Sequence, residues 1–305
     1  MKVFVITSRI PYPLDKGDKL RLYYQLKELS KHHTIYLCAI KPLLNVKDLN
    51  TSRKILNEFC KEIYFVKRSL FLTLLSLFKS LFNSLPFQTA LFTECHAKKR
   101  VNQLIDKIKP DYIYCQLTRS ADYVYDRKEA KILDYMDVFS KNMDQRAHQV
   151  PFLKKWFYHW EASKQKQYEK DIFNSFDSHT IISKEDKKYI NHPKKNQIHV
   201  IPNGVDFNYF KPKNRPIKYD LVFVGNMAYE PNIDASEFLC KEIVPLIQKQ
   251  IPNIKVLIAG TDPTKRVKNL SSECIDISGW IDDIRIAYAE SKVFIAPMRL
   301  GTGLQ

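Results

Sequence analysis

The sequence predicts an α/β protein built from two units, each with its own parallel sheet. Short apolar runs of strand length alternate with stretches of helical periodicity along the chain. The alternation is interrupted at the polar, proline-containing segment 191–197 and then restarts. A chain of 305 residues is long enough for two domains of ordinary size. We therefore predict a first unit over 1–190, a linker over 191–197 and a second unit over 198–305.

The first unit opens on an apolar strand and alternates strands with helices. Predicted strands lie at residues 2–6, 34–40, 63–66, 112–115, 132–133 and 179–182, and predicted helices include 19–30 and 156–176. Short apolar strands separated by helices are typical of βαβ units, in which helices cover a parallel sheet. Ser183 follows the last of these strands and is a predicted helix N-cap.

The loop after the first strand supplies candidate binding residues. Two prolines stiffen this loop, and Gly17 permits a sharp turn before a helix that begins near Asp18. Ligands of open parallel sheets bind beyond the carboxyl ends of the strands, so Gly17, Asp18 and Arg21 are candidates to line a crevice. A plain strand-to-helix turn would explain the same residues.

Residues 69–87 form the most apolar stretch of the chain. Lys67 and Arg68 precede it, and Lys79 interrupts it. A membrane-spanning helix needs about 20 consecutive apolar residues, which this stretch does not reach. Two interpretations remain: a buried helix between domains, or a helix that dips into a membrane surface.

The charge is concentrated in the first unit. Of the 49 basic and 33 acidic residues, 36 and 21 lie before Ile198, which gives this part a net charge of +15 and the remainder +1. A basic unit predicts an anionic partner. The basic residues are spread along the chain and form no common nucleic-acid-binding module, so no specific nucleic-acid partner is expected, although a basic nucleic-acid binder stays an alternative.

Several classes are excluded by what the sequence does not contain. No glycine pattern of a dinucleotide-binding fold or of a P-loop occurs. The six cysteines are far apart and form no paired spacing, which predicts reduced thiols in a cytoplasmic protein and no zinc site.

The second unit repeats the alternation and places a glycine after three of its strands. Strands are predicted at 198–201, 219–224, 255–259, 275–277 and 293–296, with helices over 232–250 and 281–290. Gly225, Gly260 and Gly279 each follow a strand. Glycine lets the backbone approach a ligand closely, and a following helix N-terminus can hold a phosphate. Ordinary tight turns would explain any one of the three alone.

Several segments resemble the group 1, or family 4, glycosyltransferases. IHVIPNGVDFNYFKP at 198–212 is similar to their interdomain signature, with Asn203 and Gly204 at the hinge. DLVFVGNMAYEPNIDA at 220–235, VLIAGTDP at 256–263 and ISGWIDDIRIAYAESKVFIAPMRLGTGLQ at 277–305 resemble successive parts of their donor domain. SRIPYPLDKGDKLR and LDYMDVFSKN, in the first unit, resemble a branch associated with exopolysaccharide and exosortase systems.

The resemblance implies the GT-B architecture, two Rossmann-like domains facing a cleft. It implies a retaining hexosyltransferase without metal or other cofactor, with an N-terminal acceptor domain and a C-terminal domain that binds a nucleotide-diphosphate sugar. The acceptor is expected to be anionic, lipid-linked or a polysaccharide, and the protein to lie in the cytoplasm or at the inner face of the cytoplasmic membrane. The positions matching the donor site are Gly225, Asn226, Gly260, Gly279, Ile281, Asp282, Arg299, Gly301, Thr302 and Gly303.

The sequence departs from the family pattern in three places. The first donor loop, GNMAYEPN, lacks the usual Arg and Lys, so the amides of Gly225 and Asn226, together with Arg299, are expected to bind the diphosphate. Of the family's two glutamates, one falls on Leu300 and the other beyond Gln305, which predicts a C-terminally truncated, inactive chain. The acceptor-side histidine is absent.

Asp137 is the candidate for the acceptor-side catalytic role that the histidine has in the family. A helix N-cap is its alternative role. The departures also leave open a non-catalytic GT-B relic or a scaffold that binds a nucleotide sugar.

Overall fold

The structure, a computed structural model, describes residues 1–43, 48–147 and 150–300, without the side chain of Leu153. The chain divides into two compact units. Unit 1 is Met1–Asn203, and unit 2 begins at Gly204 and is described as far as Leu300. Each unit contains a parallel β-sheet with helices, so the predicted α/β class is confirmed.

Unit 1 has seven parallel strands in the order β3-β2-β1-β4-β5-β6-β7. The strands are β1 (Lys2–Thr7), β2 (Thr34–Ile40), β3 (Glu62–Val66), β4 (Tyr112–Gln116), β5 (Ala130–Asp134), β6 (Ser178–Ile181) and β7 (His199–Val200). The helices are α1 (Gly17–Leu29), α2 (Leu49–Leu56), α3 (Leu70–Ser80), α4 (Phe87–Phe92), α5 (Cys95–Ile108), α6 (Thr118–Ala121), α7 (Phe139–Ala147), α8 (Phe152–Phe173), α9 (Lys184–Tyr189) and a 3₁₀ turn, Lys195–Gln197.

The core of unit 1 lies on both faces of its sheet. Side chains of a strand alternate between faces, and in β1 Phe4 and Ile6 enter one apolar cluster while Val3 and Val5 enter the other. Both faces are therefore covered, which explains why these strands are nearly continuous apolar runs in the sequence. Ser183 caps α9 by accepting the amide N–H of Asp186 at 3.0 Å, as predicted.

The predicted linker over 191–197 lies inside unit 1. The strand after it, β7, pairs with β6 through Thr180–His199 and Ile181–Val200, although the sequence assigned residues 198–201 to the second unit. The division between the units falls after Asn203 because this pairing keeps β7 in the first sheet.

The apolar stretch 69–87 forms α3 and a separate turn before α4. The interpretation of this stretch as a buried helix is wrong, because the buried residues of α3 are Thr73 and Ser80 while most of its leucine and phenylalanine side chains are exposed. Among the described residues, no helix combines the length and apolarity needed to cross a bilayer.

Unit 2 has four parallel strands in the order β10-β9-β8-β11. The strands are β8 (Tyr219–Val224), β9 (Val256–Ala259), β10 (Ile275–Gly279) and β11 (Ser291–Phe294), and the helices are α10 (Glu230–Phe238), α11 (Val244–Gln248), α12 (Lys265–Lys268) and α13 (Ile284–Ala289). A π-helical turn, Leu239–Ile243, joins α10 to α11. This turn precedes Pro245, whose ring and missing N–H cannot continue a regular α-helix.

Candidate functional site

Unit 1 has a topological switch point at β1. This strand pairs with β2 on one side and with β4 on the other, so the chain leaves it in both directions. The loops that follow the carboxyl ends of β1 and β4 therefore separate, and a crevice at this position is the usual ligand site of an open parallel sheet. The strands β1, β4 and β5 end here in Thr7, Gln116 and Asp134.

A chain of hydrogen bonds fixes the start of α1 over this edge. The Thr7 hydroxyl donates to Gln116 Oε1 at 2.9 Å, and Gln116 Nε2 donates to the carbonyl of Asp18 at 2.8 Å. Thr7 and Gln116 are both buried. Asp18 is thereby held beside the switch point, and Gly17 begins the helix with open space around its Cα.

Two arginines share the carboxylate of Asp18. Arg9 donates to Asp18 Oδ2 at 2.7 Å and Arg119 at 3.2 Å, so the cluster carries one positive charge in excess. Arg119 is buried between the rings of Phe92 and Phe139, 4.4 and 5.4 Å from its guanidinium carbon. Burial and the charge of Arg9 lower the pKa of Arg119, which indicates a cation that its surroundings compensate incompletely.

Arg21, the third acceptor-side candidate, is placed differently from Asp18. Its Nε donates at 3.0 Å to Asp134, whose carboxylate is fully buried. Its Nη1 donates to the carbonyl of Ile201 and to Oδ1 of Asn203, at 3.0 and 2.9 Å. Arg21 thus forms a buried ion pair with Asp134 and also holds the end of unit 1, including the predicted hinge residue Asn203.

Asp137 follows β5 at the same edge. One carboxylate oxygen accepts from Asn142 Nδ2 at 3.2 Å, and the other is buried without a hydrogen-bond partner among the described residues. Burial raises the pKa of Asp137 to about 6. The amide N–H of Ser140, in the first turn of α7, donates to Glu169 at 3.1 Å, so the capping alternative for Asp137 is not supported at this amide.

Glu169 is a buried carboxylate that the sequence analysis did not single out. It accepts from the amide and the hydroxyl of Ser140, at 3.1 and 2.6 Å, and from Gln165 Nε2 at 3.2 Å. Burial nevertheless raises its pKa from 4.5 to about 7. Its position on α8, one turn after Gln165, gave no local signal, since charges on a long helix are usually solvated.

The raised pKa of Glu169 predicts a stability that falls as the pH rises. Between its unfolded pKa of 4.5 and its folded pKa of about 7 the folded state binds the extra proton, so the contribution of Glu169 to stability is fully present below pH 4.5 and is lost as the pH rises through 7. We expect Glu169→Gln to remove this loss and to stabilise unit 1 at pH 8 by about 3 kcal/mol.

Urea unfolding at pH 5 and pH 8 measures this effect. The raised pKa of Asp137 also makes stability fall as the pH rises, and this smaller fall should remain in the variant. An unchanged difference between the two pH values in Glu169→Gln would contradict the assignment.

Two non-glycine residues at this edge have left-handed backbone angles. Leu117, directly after β4, has a φ of 68°, and Met136, after β5, has a φ of 60°. Such angles cost free energy in residues with a Cβ and persist where the surrounding structure imposes them, often near functional sites. The strained turns therefore lie beside the same cluster as Asp18, Arg119 and Asp137.

In unit 2 the sheet order brings the three predicted glycines to one edge. The Gly225 amide donates to the carbonyl of Ala259 at 3.0 Å, and the Gly260 amide to that of Gly279 at 2.9 Å. A Cβ on Gly260 would lie 1.7 Å from the Gly225 carbonyl oxygen, and a Cβ on Gly225 would lie 2.6 Å from Asn232 Nδ2. Close packing against backbone thus explains Gly260. At Gly225 only the end of the Asn232 side chain would have to move, and Gly279 has open space around it and a φ of +69°.

The expected diphosphate ligands are only partly available. The Gly225 amide is used in the sheet, while the Asn226 amide has no acceptor within the described part of the chain. Arg299 binds both carboxylate oxygens of Asp234, at 3.1 and 2.7 Å, and its guanidinium lies 4.3 Å from the Phe238 ring. The charge of Arg299 is therefore directed at α10. The sequence did not predict this ion pair with Asp234.

The remaining donor-site positions lie after β10 or outside the described residues. Ile281 packs on the apolar cluster of Val222 and Leu257, and Asp282 accepts from Trp280 Nε1 at 2.8 Å. Gly301, Thr302 and Gly303 fall outside the described residues. Over the described ranges no three His, Cys, Asp or Glu side chains are grouped as metal ligands.

Arg9, Arg119 and Asp134 are not among the candidates predicted from the sequence, although each stands at or just after the carboxyl end of a strand. That position is itself a signal, because polar residues at strand ends meet at one edge of a parallel sheet. It could have selected Arg9 and Asp134. Selecting Arg119, in the loop LTRS after β4, would have required knowledge of the strand order.

Known proteins resemble this chain in sequence, most specifically over unit 2. Residues 218–305 match the family model for glycosyl transferases group 1. The whole chain is 24% identical over 340 residues to an uncharacterised 44.6 kDa protein in the cps region of Klebsiella pneumoniae, and it covers 78% of that protein.

Solved structures with a similar fold come from diverse proteins. Sucrose-phosphate synthase from Thermosynechococcus elongatus has a TM-score of 0.64 at 15% identity, over 98% of this chain and 75% of that one. TarM has a TM-score of 0.62 at 11% identity, over 96% and 79%. UGT71G1 of Medicago truncatula, complexed with UDP-glucose, has a TM-score of 0.51 at 12% identity, over 96% and 75%. The chain therefore has the GT-B fold, and its residues 218–305 resemble the group 1 glycosyltransferases.

Proposed function

We propose that this protein is a glycosyltransferase that moves a hexose from a nucleotide-diphosphate sugar to an anionic, lipid-linked acceptor with retention of configuration. Unit 2 binds the donor, and the switch-point edge of unit 1 binds the acceptor. The observation that carries the proposal is that the described part of the family-matched segment, residues 218–300, contains the sheet whose strand-end glycines lie on adjacent strands.

The donor side rests on the loops after β8 and β10. The Asn226 amide stands four residues before α10, where an N–H and a helix N-terminus favour an anion. Gly279 leaves open space at the same edge. Since UGT71G1 was solved with UDP-glucose, uridine donors are the first to be tried.

The acceptor side rests on the Arg9–Asp18–Arg119 cluster. Two guanidinium groups around one carboxylate leave positive charge at the crevice, and unit 1 as a whole carries the excess of basic residues. A phosphate or other anionic group on the acceptor would compensate this charge and receive bidentate hydrogen bonds.

In the proposed reaction, the bond between the anomeric carbon and the diphosphate oxygen breaks and a bond to an acceptor hydroxyl oxygen forms. The hydroxyl proton must leave. Asp137, with a pKa of about 6 and a carboxylate oxygen that has no partner among the described residues, is ionised at neutral pH and is our candidate base that accepts this proton. The amide of Asn226 would stabilise the charge that develops on the leaving diphosphate.

Release of nucleoside diphosphate tests the proposal. The protein is incubated with uridine, guanosine and adenosine diphosphate sugars, with and without a phosphorylated polyprenol acceptor. We expect release to depend on the acceptor. Arg9→Gln should raise the acceptor KM by about tenfold and leave the donor KM unchanged, because it removes a charge-assisted contact.

Lys31→Gln, at an exposed lysine paired with Glu28 at the end of α1, is the matched control. Equal acceptor KM values for the two variants would contradict the acceptor assignment. Binding of a nucleotide sugar without any release would favour the scaffold alternative.

A further inference from the structure

We propose that unit 1 docks on an anionic lipid bilayer through one preformed apolar face. This docking face consists of Phe71, Leu74, Phe78 and Phe82, in and directly after α3, and Phe152 and Trp156 at the start of α8. Docking of this kind would bring unit 1 to the lipid-linked acceptor of the proposed function, and it rests on that function for its purpose. The binding itself is measured without donor or acceptor.

The burial of α3 is inverted relative to an ordinary surface helix. Its buried residues, Thr73 and Ser80, are polar, whereas Phe71, Phe78 and Phe82 are exposed by 74%, 61% and 78%. The hydroxyls of Thr73 and Ser80 donate to the carbonyls of Ser69 and Leu77, at 2.8 and 2.7 Å, and so need no other partner. The helix therefore presents its apolar side to the surroundings, which in soluble proteins marks an interaction surface.

Contacts to α8 hold this orientation. Lys164 donates to the carbonyl of Ser80, the last residue of α3. Glu161 accepts the amide N–H groups of Phe87 and Gln88, at 2.9 and 2.8 Å, and so fixes the start of α4.

Aromatic side chains of α8 precede these contact residues along the helix. Phe87 packs edge-on against Phe157, with ring centroids 5.7 Å apart. Trp160 stacks on Trp156 at 6.2 Å, and Trp156 is 73% exposed. The α8 helix is thus joined to the end of α3 through Lys164 and to α4 through Phe157.

Charge identifies the partner. Lys67, Arg68 and Lys79 flank or interrupt α3, and Lys154 and Lys155 stand between Phe152 and Trp156. The sequence contains no Asp or Glu over 63–93 or 145–160. Basic side chains around inserted phenylalanine and tryptophan are the pattern that binds anionic lipid.

Basic side chains also line a cavity of about 360 Å³. It is lined by Arg53, Lys67, His96 and Arg100 and lies next to the chain that enters α3. A second copy of this chain is a poorer partner, because in a symmetric pair its basic side chains would face the same basic side chains of the first copy.

Vesicle sedimentation of the full chain tests the inference. We expect binding to vesicles of phosphatidylcholine with phosphatidylglycerol, and much weaker binding to phosphatidylcholine alone. The double variant F78S/F82S should bind the anionic vesicles roughly tenfold more weakly, with unchanged thermal unfolding because both rings are exposed. The variant K154Q/K155Q should also weaken binding and reduce its salt dependence.

Phe207→Ser is the matched control, since Phe207 is 81% exposed in unit 2. Equal binding of wild type and F78S/F82S would overturn the inference, as would equal binding to both kinds of vesicle. A wild-type chain that dimerises and ignores vesicles would also overturn it, with a second copy as the occupant. Transfer to a water-soluble acceptor, measured separately, shows whether the proposed function survives such a failure.

Discussion

Arg21→Met is expected to destabilise unit 1 by about 3–5 kcal/mol, because it leaves the fully buried carboxylate of Asp134 without its cation. Tyr114 and Gln25 still donate to this carboxylate at 2.8 and 3.3 Å, but neither carries a charge. The carbonyl of Ile201 and the side chain of Asn203 also lose their donor. Urea-dependent amide hydrogen exchange in β1, β4 and β5 measures the loss.

A second variant separates the charge from the packing. In R21M/D134N the buried negative charge is removed as well, so we expect part of the stability to return. A loss below about 1 kcal/mol in Arg21→Met would instead place this pair among surface ion pairs. It would then contradict the structural role assigned to Arg21.

Gly260→Ala is expected to destabilise unit 2 by about 4 kcal/mol. The new Cβ would lie 1.7 Å from the Gly225 carbonyl oxygen, and backbone atoms of neighbouring strand ends cannot move apart without breaking the sheet. The φ of +141° adds strain for any residue with a side chain. Amide hydrogen exchange in β8 and β9 is the direct measurement.

The other glycines of unit 2 provide graded controls. Gly204→Ala meets no atom within 4 Å and should change stability by less than about 0.5 kcal/mol. Gly279→Ala meets none either but has a φ of +69°, so only a strain of about 1–2 kcal/mol is expected. Equal effects at Gly260 and Gly279 would contradict the close packing of Gly260 against Gly225.

Strands were predictable where local composition determines them. The run YDLVFV predicted a strand over 219–224, and β8 has these bounds, because the strand is buried on both faces and needs apolar residues throughout. The π-helical turn before Pro245 lay within a stretch predicted as one helix, since proline limits a helix without showing how the chain adapts.

What depended on distant partners was not predictable. The two-residue strand β7 belongs to the first sheet only because β6 pairs with it, so the linker was placed too early. The stretch 69–87 showed its apolarity but not which side of α3 faces the protein. Arg21 and Asp134 are 113 residues apart, and the pairing of Arg299 with Asp234 spans 65. No spacing rule connects such residues.

The configuration of the new glycosidic bond distinguishes glycosyl transfer with retention from transfer with inversion. The protein is incubated with an α-configured uridine diphosphate sugar and the phosphorylated polyprenol, and the product is examined by proton NMR. Transfer with retention predicts an α-linked sugar on the acceptor. A β-linked product would contradict retention, and an unmodified acceptor with every donor nucleotide would contradict transfer itself.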